Sequence, residues 1–196
     1  MAHEEDIAVT TFRNYLRIDT EQPNPNYKAC EEFLHALAAE LQIKCSSVEC
    51  VPGKPVVIMT IEGKNPSLPS LFLYSHTDVV PTFKVCLCCE SVLFLMAAVM
   101  DNSPTIGRTS KDDPWWNEFS SVLDEMHLKY KTEVFVGATD SRYLRQLNYK
   151  AIGFSPMINT PQLLHDHNEF LNENVFLRGV DIYAKLIPRL ANLPDH

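Results

Sequence analysis

The sequence predicts an α/β protein. Short runs rich in β-branched and aromatic residues alternate with amphipathic helical segments on both sides of residue 100. Three such runs follow one another between Ser46 and Ser75, and the clearest helical periodicity closes the chain. With 196 residues and 45% hydrophobic content, the chain is long enough to bury a real core as one ordinary domain.

The elements follow from local pattern. In "EEDIAVTTFRNYLRI", Ala8, Phe12, Tyr15 and Leu16 recur at spacings of three and four, which predicts a helix with one apolar face. "NPNYKACEEFLHALAAELQI" predicts a second helix, with Asn24 as N-cap, Pro25 at the first position and Phe33, Leu34, Leu37 and Leu41 on one side. "SSVECV", "PVVIMTIEG" and "SLFLYS" read as strands separated by Pro, Gly and Asn. The third would deliver His76 and Asp78 at its end.

After Lys84 the character changes. "VCLCCESVLFLMAAVM" is almost wholly apolar, yet shorter than the roughly 20 residues a membrane helix needs, and it reads as a buried segment. Its Cys-x-Cys-Cys cluster does not match the paired Cys-x2-Cys spacing of zinc sites. Residues 102–110 read as loop. "DDPWWNEFSSVLDEMHL" predicts a helix with Asp113 as N-cap, Pro114 in its first turn, and Trp115, Phe119, Val122, Leu123 and Met126 facing a core. "TEVFVG" and "KAIGFSP" are strand candidates, and "ATDSRYLRQL" is a short helix capped at Thr139 or Asp140. "NENVFLRGVDIYAKLIPRL" aligns Phe176, Val180, Tyr183, Ile187 and Leu190 on one stripe.

Composition excludes several functions. A formal charge of -8 argues against nucleic acid, whose phosphates draw on clustered Lys and Arg. No window predicts a membrane span. The acidic start "MAHEEDIAVT" lacks the basic and apolar regions of a signal peptide, so a cytoplasmic location is expected, with all six cysteines as thiols. Neither G-x-G-x-x-G, the P-loop motif, G-x-S-x-G nor H-E-x-x-H occurs.

Three groups of residues could carry chemistry. On a strand, His76 and Asp78 would project from the same face into the crevice beyond the strand ends, where open α/β sheets bind ligands. There an imidazole can ligate a metal and a carboxylate can orient it; equally, the pair could be a surface His beside a turn Asp. "LLHDHNEFLNE" places His165, Asp166, His167, Asn168 and Glu169 before the last helix, as metal ligands or, through Asp, His and Asn, as helix-capping residues. Arg142, near a helix N-terminus in "GATDSRYLR", could clamp a carboxylate or stand exposed in solvent.

The motifs "YLRIDTEQPNPNY", "YSHTDVVP", "DDPWW", "ATDSRYLR", "GFSPMINTPQLLHDHNEFL" and "FLRGVDIYAKLIPRLA" occur in an order that resembles the aminoacylase I family. Those enzymes are N-acyl-L-amino-acid amidohydrolases of the zinc aminoacylase and carboxypeptidase-G-like group. The similarity covers about residues 6–84 and 112–193. It implies a three-layer sheet-and-helix catalytic domain of the zinc aminopeptidase/carboxypeptidase type, with residues 1–84 as its N-terminal part and 112–196 as its C-terminal part. Residues 85–111 form a Cys-rich apolar segment and loop without counterpart.

By the same resemblance, His76 and His165 are ligands of two different zinc ions and Asp78 orients His76 in the catalytic site. Thr139 and Arg142 lie near the carboxylate of a small N-acyl amino acid. The family is homodimeric through a lid domain that has no counterpart in this chain. The family's bridging aspartate, paired glutamates and third acidic ligand belong between Lys84 and Asp112, where the only acidic residues are Glu90 and Asp101. The resemblance therefore implies zinc-dependent hydrolysis of N-acyl-L-amino acids, impaired in this chain. The rival reading is a non-catalytic isoform or remnant that binds metal weakly or associates with a full-length aminoacylase.

Overall fold

A computed structural model describes residues 4–81, 109–133, 139–161, 163 and 169–193. Their elements are α1 (Ile7–Leu16), α2 (Tyr27–Glu40), β1 (Lys44–Val51), β2 (Lys54–Thr60), α3 (Pro114–Glu125), α4 (Ser141–Gln146) and α5 (Glu173–Ala191). Helix and strand are mixed, as expected of an α/β chain. Among the described residues the sheet is a single antiparallel pair, β1 with β2. The chain divides into two compact units, residues 1–85 with 160–177 and residues 86–159 with 178–196.

In the first unit, Asp6 caps α1 by accepting from the Ala8 N–H at 2.8 Å. The second helix begins later than its sequence suggests. Asn26, not Asn24, is the N-cap: its side chain accepts from Ala29 N–H at 3.1 Å, and its own N–H is tied to the Asp19 carbonyl at 2.8 Å. Pro25 thus lies ahead of the helix. The fully buried positions are Val9 on α1 and Cys30 and Ala38 on α2, none of them on the predicted faces, whose Phe12, Tyr15, Phe33, Leu34 and Leu37 are half-buried and whose Leu16 and Leu41 are exposed. The small buried side chains of α2 let the helix lie close on β1 and β2, against which it packs. A hydrogen bond of 2.8 Å joins His35 Nε2 to Ser47 Oγ across that contact.

β1 turns into β2 through Pro52 and Gly53. Proline presets φ for the first turn position, and Gly53, at φ +76°, occupies the second, which a side chain would strain. The predicted third strand does not form. Among the described residues the run from Ser70 to Ser75 is not part of a β-ladder, and Phe72, Leu73 and Tyr74 are exposed. A strand is held by its neighbours' backbone groups, so β-propensity in that run is not sufficient. Only at Val79 does pairing appear, as an isolated parallel bridge to Glu21. Phe12 of α1 stacks on Phe176 at a centroid distance of 4.8 Å, and Arg13 pairs with Glu5 and, at 3.2 Å, with Glu173.

The second unit is built on α3 and the larger part of α5. Phe119, Val122 and Leu123 meet Ile182 and Leu186 in a buried cluster with Trp116. Each such aliphatic side chain contributes about 1.5–3 kcal/mol on burial. Trp116 rather than Trp115 enters this core, because Asp113 starts the helix where predicted but the turn faces its second tryptophan inward. The buried stripe of α5 is Gly179, Ile182 and Leu186, rotated from the predicted one, and Val180 and Tyr183 face outward. Gly179 is where Pro156 approaches, its Cγ 3.1 Å from where a Cβ would stand. The predicted strand "KAIGFSP" is an unladdered segment. It carries Phe154, set edge-on against Phe119 at 5.0 Å, and the Phe154 carbonyl accepts from the Tyr183 hydroxyl at 3.1 Å. Arg189 binds Glu118 and both carboxylate oxygens of Glu125, at 2.9 and 3.2 Å for the latter. "TEVFVG" lies almost wholly outside the described residues.

Candidate functional site

His76 and Asp78 come together in a loop, not at the end of a strand. His76 Nδ1 lies 2.6 Å from the main-chain oxygen of Asp78 and 3.6 Å from its carboxylate Oδ1. A carbonyl oxygen can only accept, so Nδ1 carries the proton and the lone pair is on Nε2. Both oxygen acceptors of Asp78, main chain and carboxylate, thus lie on the Nδ1 side of the ring. The carboxylate also accepts at Oδ2 from Gln22 Nε2, at 2.8 Å.

The loop is fastened to the segment between α1 and α2. Val79 N–H donates to the Thr20 carbonyl and Gln22 N–H to the Val79 carbonyl, both at 3.0 Å. Beneath lie Tyr15 and the buried Cys30, hydrogen-bonded at 4.0 Å. Burial, then Cys30, then the charge of Asp78 push the Tyr15 hydroxyl up to about 12. Burial also raises the Cys30 thiol, against the opposing hydrogen bonds of Tyr15 and Thr77. Cys30 is therefore a protonated packing group, unlike the low-pKa thiols of reactive sites.

Thr139 and Arg142 sit together at the start of α4, in the other unit. Thr139 accepts through its carbonyl from Arg142 N–H at 3.1 Å, and its hydroxyl meets Ser141 Oγ at 2.5 Å. The Arg142 guanidinium lies 4.7 Å from the centre of the Tyr143 ring and donates to the Tyr143 hydroxyl at 2.7 Å. A carboxylate would have to compete with that tyrosine. His165, Asp166 and His167 lie outside the described residues.

His76, with Nε2 unprotonated and its side chain 69% exposed, is suited to donate one nitrogen to a metal. A zinc site needs three or four protein ligands. Among the described residues no group of three or more His, Cys, Asp or Glu could hold a metal ion, so these residues alone do not fit zinc. No described helix is long and apolar enough to cross a membrane.

The residue that sequence reasoning overlooked is Gln22. It precedes a proline in a loop, 56 positions from its partner Asp78, and no periodicity or motif spacing marks such a contact.

Residues 99–189 match the family described as Peptidase family M20/M25/M40. That match begins inside the Cys-rich segment and loop of residues 85–111. The chain is 55% identical to aminoacylase-1A of Rattus norvegicus and 53% identical to aminoacylase-1 of Mus musculus, each over 105 residues, or 54% of this chain. Aminoacylase-1 of Homo sapiens is 52% identical over 91 residues. The aligned stretch spans about a quarter of the length of these relatives, 26% for the rat protein and 22% for the human one. Over the stretches so matched, the chain is similar to proteins named aminoacylase-1 and to the peptidase family M20/M25/M40.

Proposed function

We propose that the chain is an aminoacylase-like amidohydrolase of N-acyl-L-amino acids, zinc-dependent as its resemblance implies, with hydrolysis impaired. The observation that carries this reading is the identity of 52–55% to proteins named aminoacylase-1. Residues 1–84 and 112–196 are the two parts of a layered catalytic domain, and residues 85–111 stand in place of a lid domain. His76 and His165 are the metal-binding imidazoles, with Asp78 behind His76. Thr139 and Arg142 meet the substrate carboxylate. The location proposed with this function is cytoplasmic. The family is homodimeric, and the domain through which it dimerises has no counterpart in this chain.

Impairment follows from what replaces the acidic motifs. Amide hydrolysis needs a base for the attacking water, and losing it costs about 10²- to 10⁴-fold. Between Lys84 and Asp112 the sequence offers only Glu90 and Asp101.

The test is release of free amino acid from N-acetyl-L-methionine by purified chain, with tightly held zinc counted after dialysis, for wild type and His76→Ala. Fewer than two zinc equivalents, reduced further by His76→Ala, and turnover at least about 100-fold below an intact aminoacylase are expected. Turnover at the intact enzyme's rate, abolished by His76→Ala, would refute the impairment. Zinc retention indifferent to His76→Ala would remove His76 from the metal site.

A further inference from the structure

The hairpin of β1 and β2 is a two-stranded sheet, so among the described residues each strand has one side whose backbone groups meet no strand. Such an edge is a template for a further strand. The two edges differ. β1 is interrupted by a register irregularity between Glu49 and Val51, and a bulge of this kind blunts an edge. β2 stays in unbroken register from Pro55 to Thr60. Its two faces are also unequal. Pro55 and Val57 are half-buried, on the side where Ser47 meets His35 of α2, while Val56 and Ile58 on the other side are 52% and 43% exposed.

Charge indicates what fits the β2 edge. Among the described residues the Lys54 ammonium, at one end of the strand, has no ion pair. Glu62 lies two residues past the other end, paired with Lys44 at 3.1 Å. A second copy of the same edge, antiparallel and related by a two-fold axis through Ile58, sets Ile58 against Ile58, Val57 against Met59, Val56 against Thr60 and Lys54 against Glu62. Symmetry makes that charge pair twice. No other axis position within β2 brings Lys54 opposite a carboxylate of its own strand and the residues that follow. Pro55, which lacks an N–H, falls near the end of the ladder, where a missing donor is tolerated.

We propose that the β2 edge is an interaction surface for a second copy of this chain, joining two hairpins into one four-stranded antiparallel sheet. The strand order β1, β2, β2, β1 leaves only the bulged edges outside, so the assembly closes at two chains. It needs no lid domain.

Sedimentation velocity of the full chain across the micromolar range tests this, and wild type is expected at twice the mass of one chain. Ile58→Lys places like charges face to face across the axis while the side chain remains exposed in its own hairpin, and it should raise the dimer dissociation constant at least about 10-fold. Lys54→Glu removes both charge pairs and should raise it about 5-fold, less at high ionic strength. Val48→Lys stands on the same exposed face but on β1, away from the junction, and should change it by no more than about 3-fold. Circular dichroism establishes that each variant is folded. A monomeric wild type, growth of species beyond the dimer, an Ile58→Lys chain as dimeric as wild type, or Val48→Lys as disruptive as Ile58→Lys overturns the proposal.

Discussion

Replacing Asp113 by alanine removes two interactions from the second unit at once. Oδ1 accepts from the N–H groups of Trp115 and Trp116, at 2.9 and 3.3 Å, and Oδ2 pairs with Lys150 Nζ at 2.9 Å. Losing an N-cap costs about 1 kcal/mol. The ion pair adds about 0.5 kcal/mol, because the Lys150 side chain is 61% exposed and regains water when its partner goes. Asp113→Ala should therefore cost about 1.5 kcal/mol. Asp113→Asn retains a capping oxygen and should lose only about 0.5 kcal/mol, the share of the ion pair. Both tryptophans of the chain, Trp115 and Trp116, lie in the first turn of α3, so their fluorescence during urea denaturation reports on this unit. Burial opposes ionisation of Asp113. The hydrogen bond of Lys150, the N–H groups of Trp116 and Trp115 and the Lys150 charge together outweigh it, and the carboxyl is held below its ordinary value of 3.8. A depressed folded-state value means that this stability is complete above 3.8 and lost as pH falls through the folded value. The gap between wild type and Asp113→Asn should close on acidification through that range. Equal urea midpoints for wild type and Asp113→Ala, or an Asn variant as weak as the Ala variant, would refute the capping argument.

Cys50 is exposed while Cys30 is buried with its thiol pKa raised, so iodoacetamide should label Cys50 well before Cys30, which it should reach only on unfolding. Peptide mapping by mass spectrometry checks this, and equal labelling rates in the native chain would disprove it. Tyr15 predicts an alkaline effect: its folded-state value is about 12 against an ordinary 10.0, so the unfolded chain loses the proton first. Stability should fall as pH rises from 10 towards 12, and Tyr15→Phe should flatten that part of the profile. An unchanged slope in the variant would show that Tyr15 is not the responsible group.

Local sequence specifies those elements that local forces decide. The start of α3 is legible because Asp113 and Pro114 act on N–H groups one turn away, whatever the rest of the chain does. The first and last helices are legible from apolar spacing, but not the exact face each buries. In α5 the stripe is rotated onto Gly179, Ile182 and Leu186, because the close approach of Pro156 favours the position without a side chain. The two runs "SLFLYS" and "KAIGFSP" carry strand propensity but join no ladder among the described residues, an outcome that depends on neighbours no local pattern reports.

The same division holds at the candidate site. The sequence by itself determined the family resemblance, the presence of His76 and Asp78 two residues apart, and the scarcity of acidic residues between Lys84 and Asp112. All of these are properties of residue identity and order. Only the tertiary structure decided that the pair lies in a loop, that the imidazole is held by a main-chain oxygen, and that Gln22 donates to the Asp78 carboxylate. Hydrogen bonds between residues 56 positions apart depend on how two segments meet, and a match of donor to acceptor at 2.8 Å leaves no trace in the spacing of either segment.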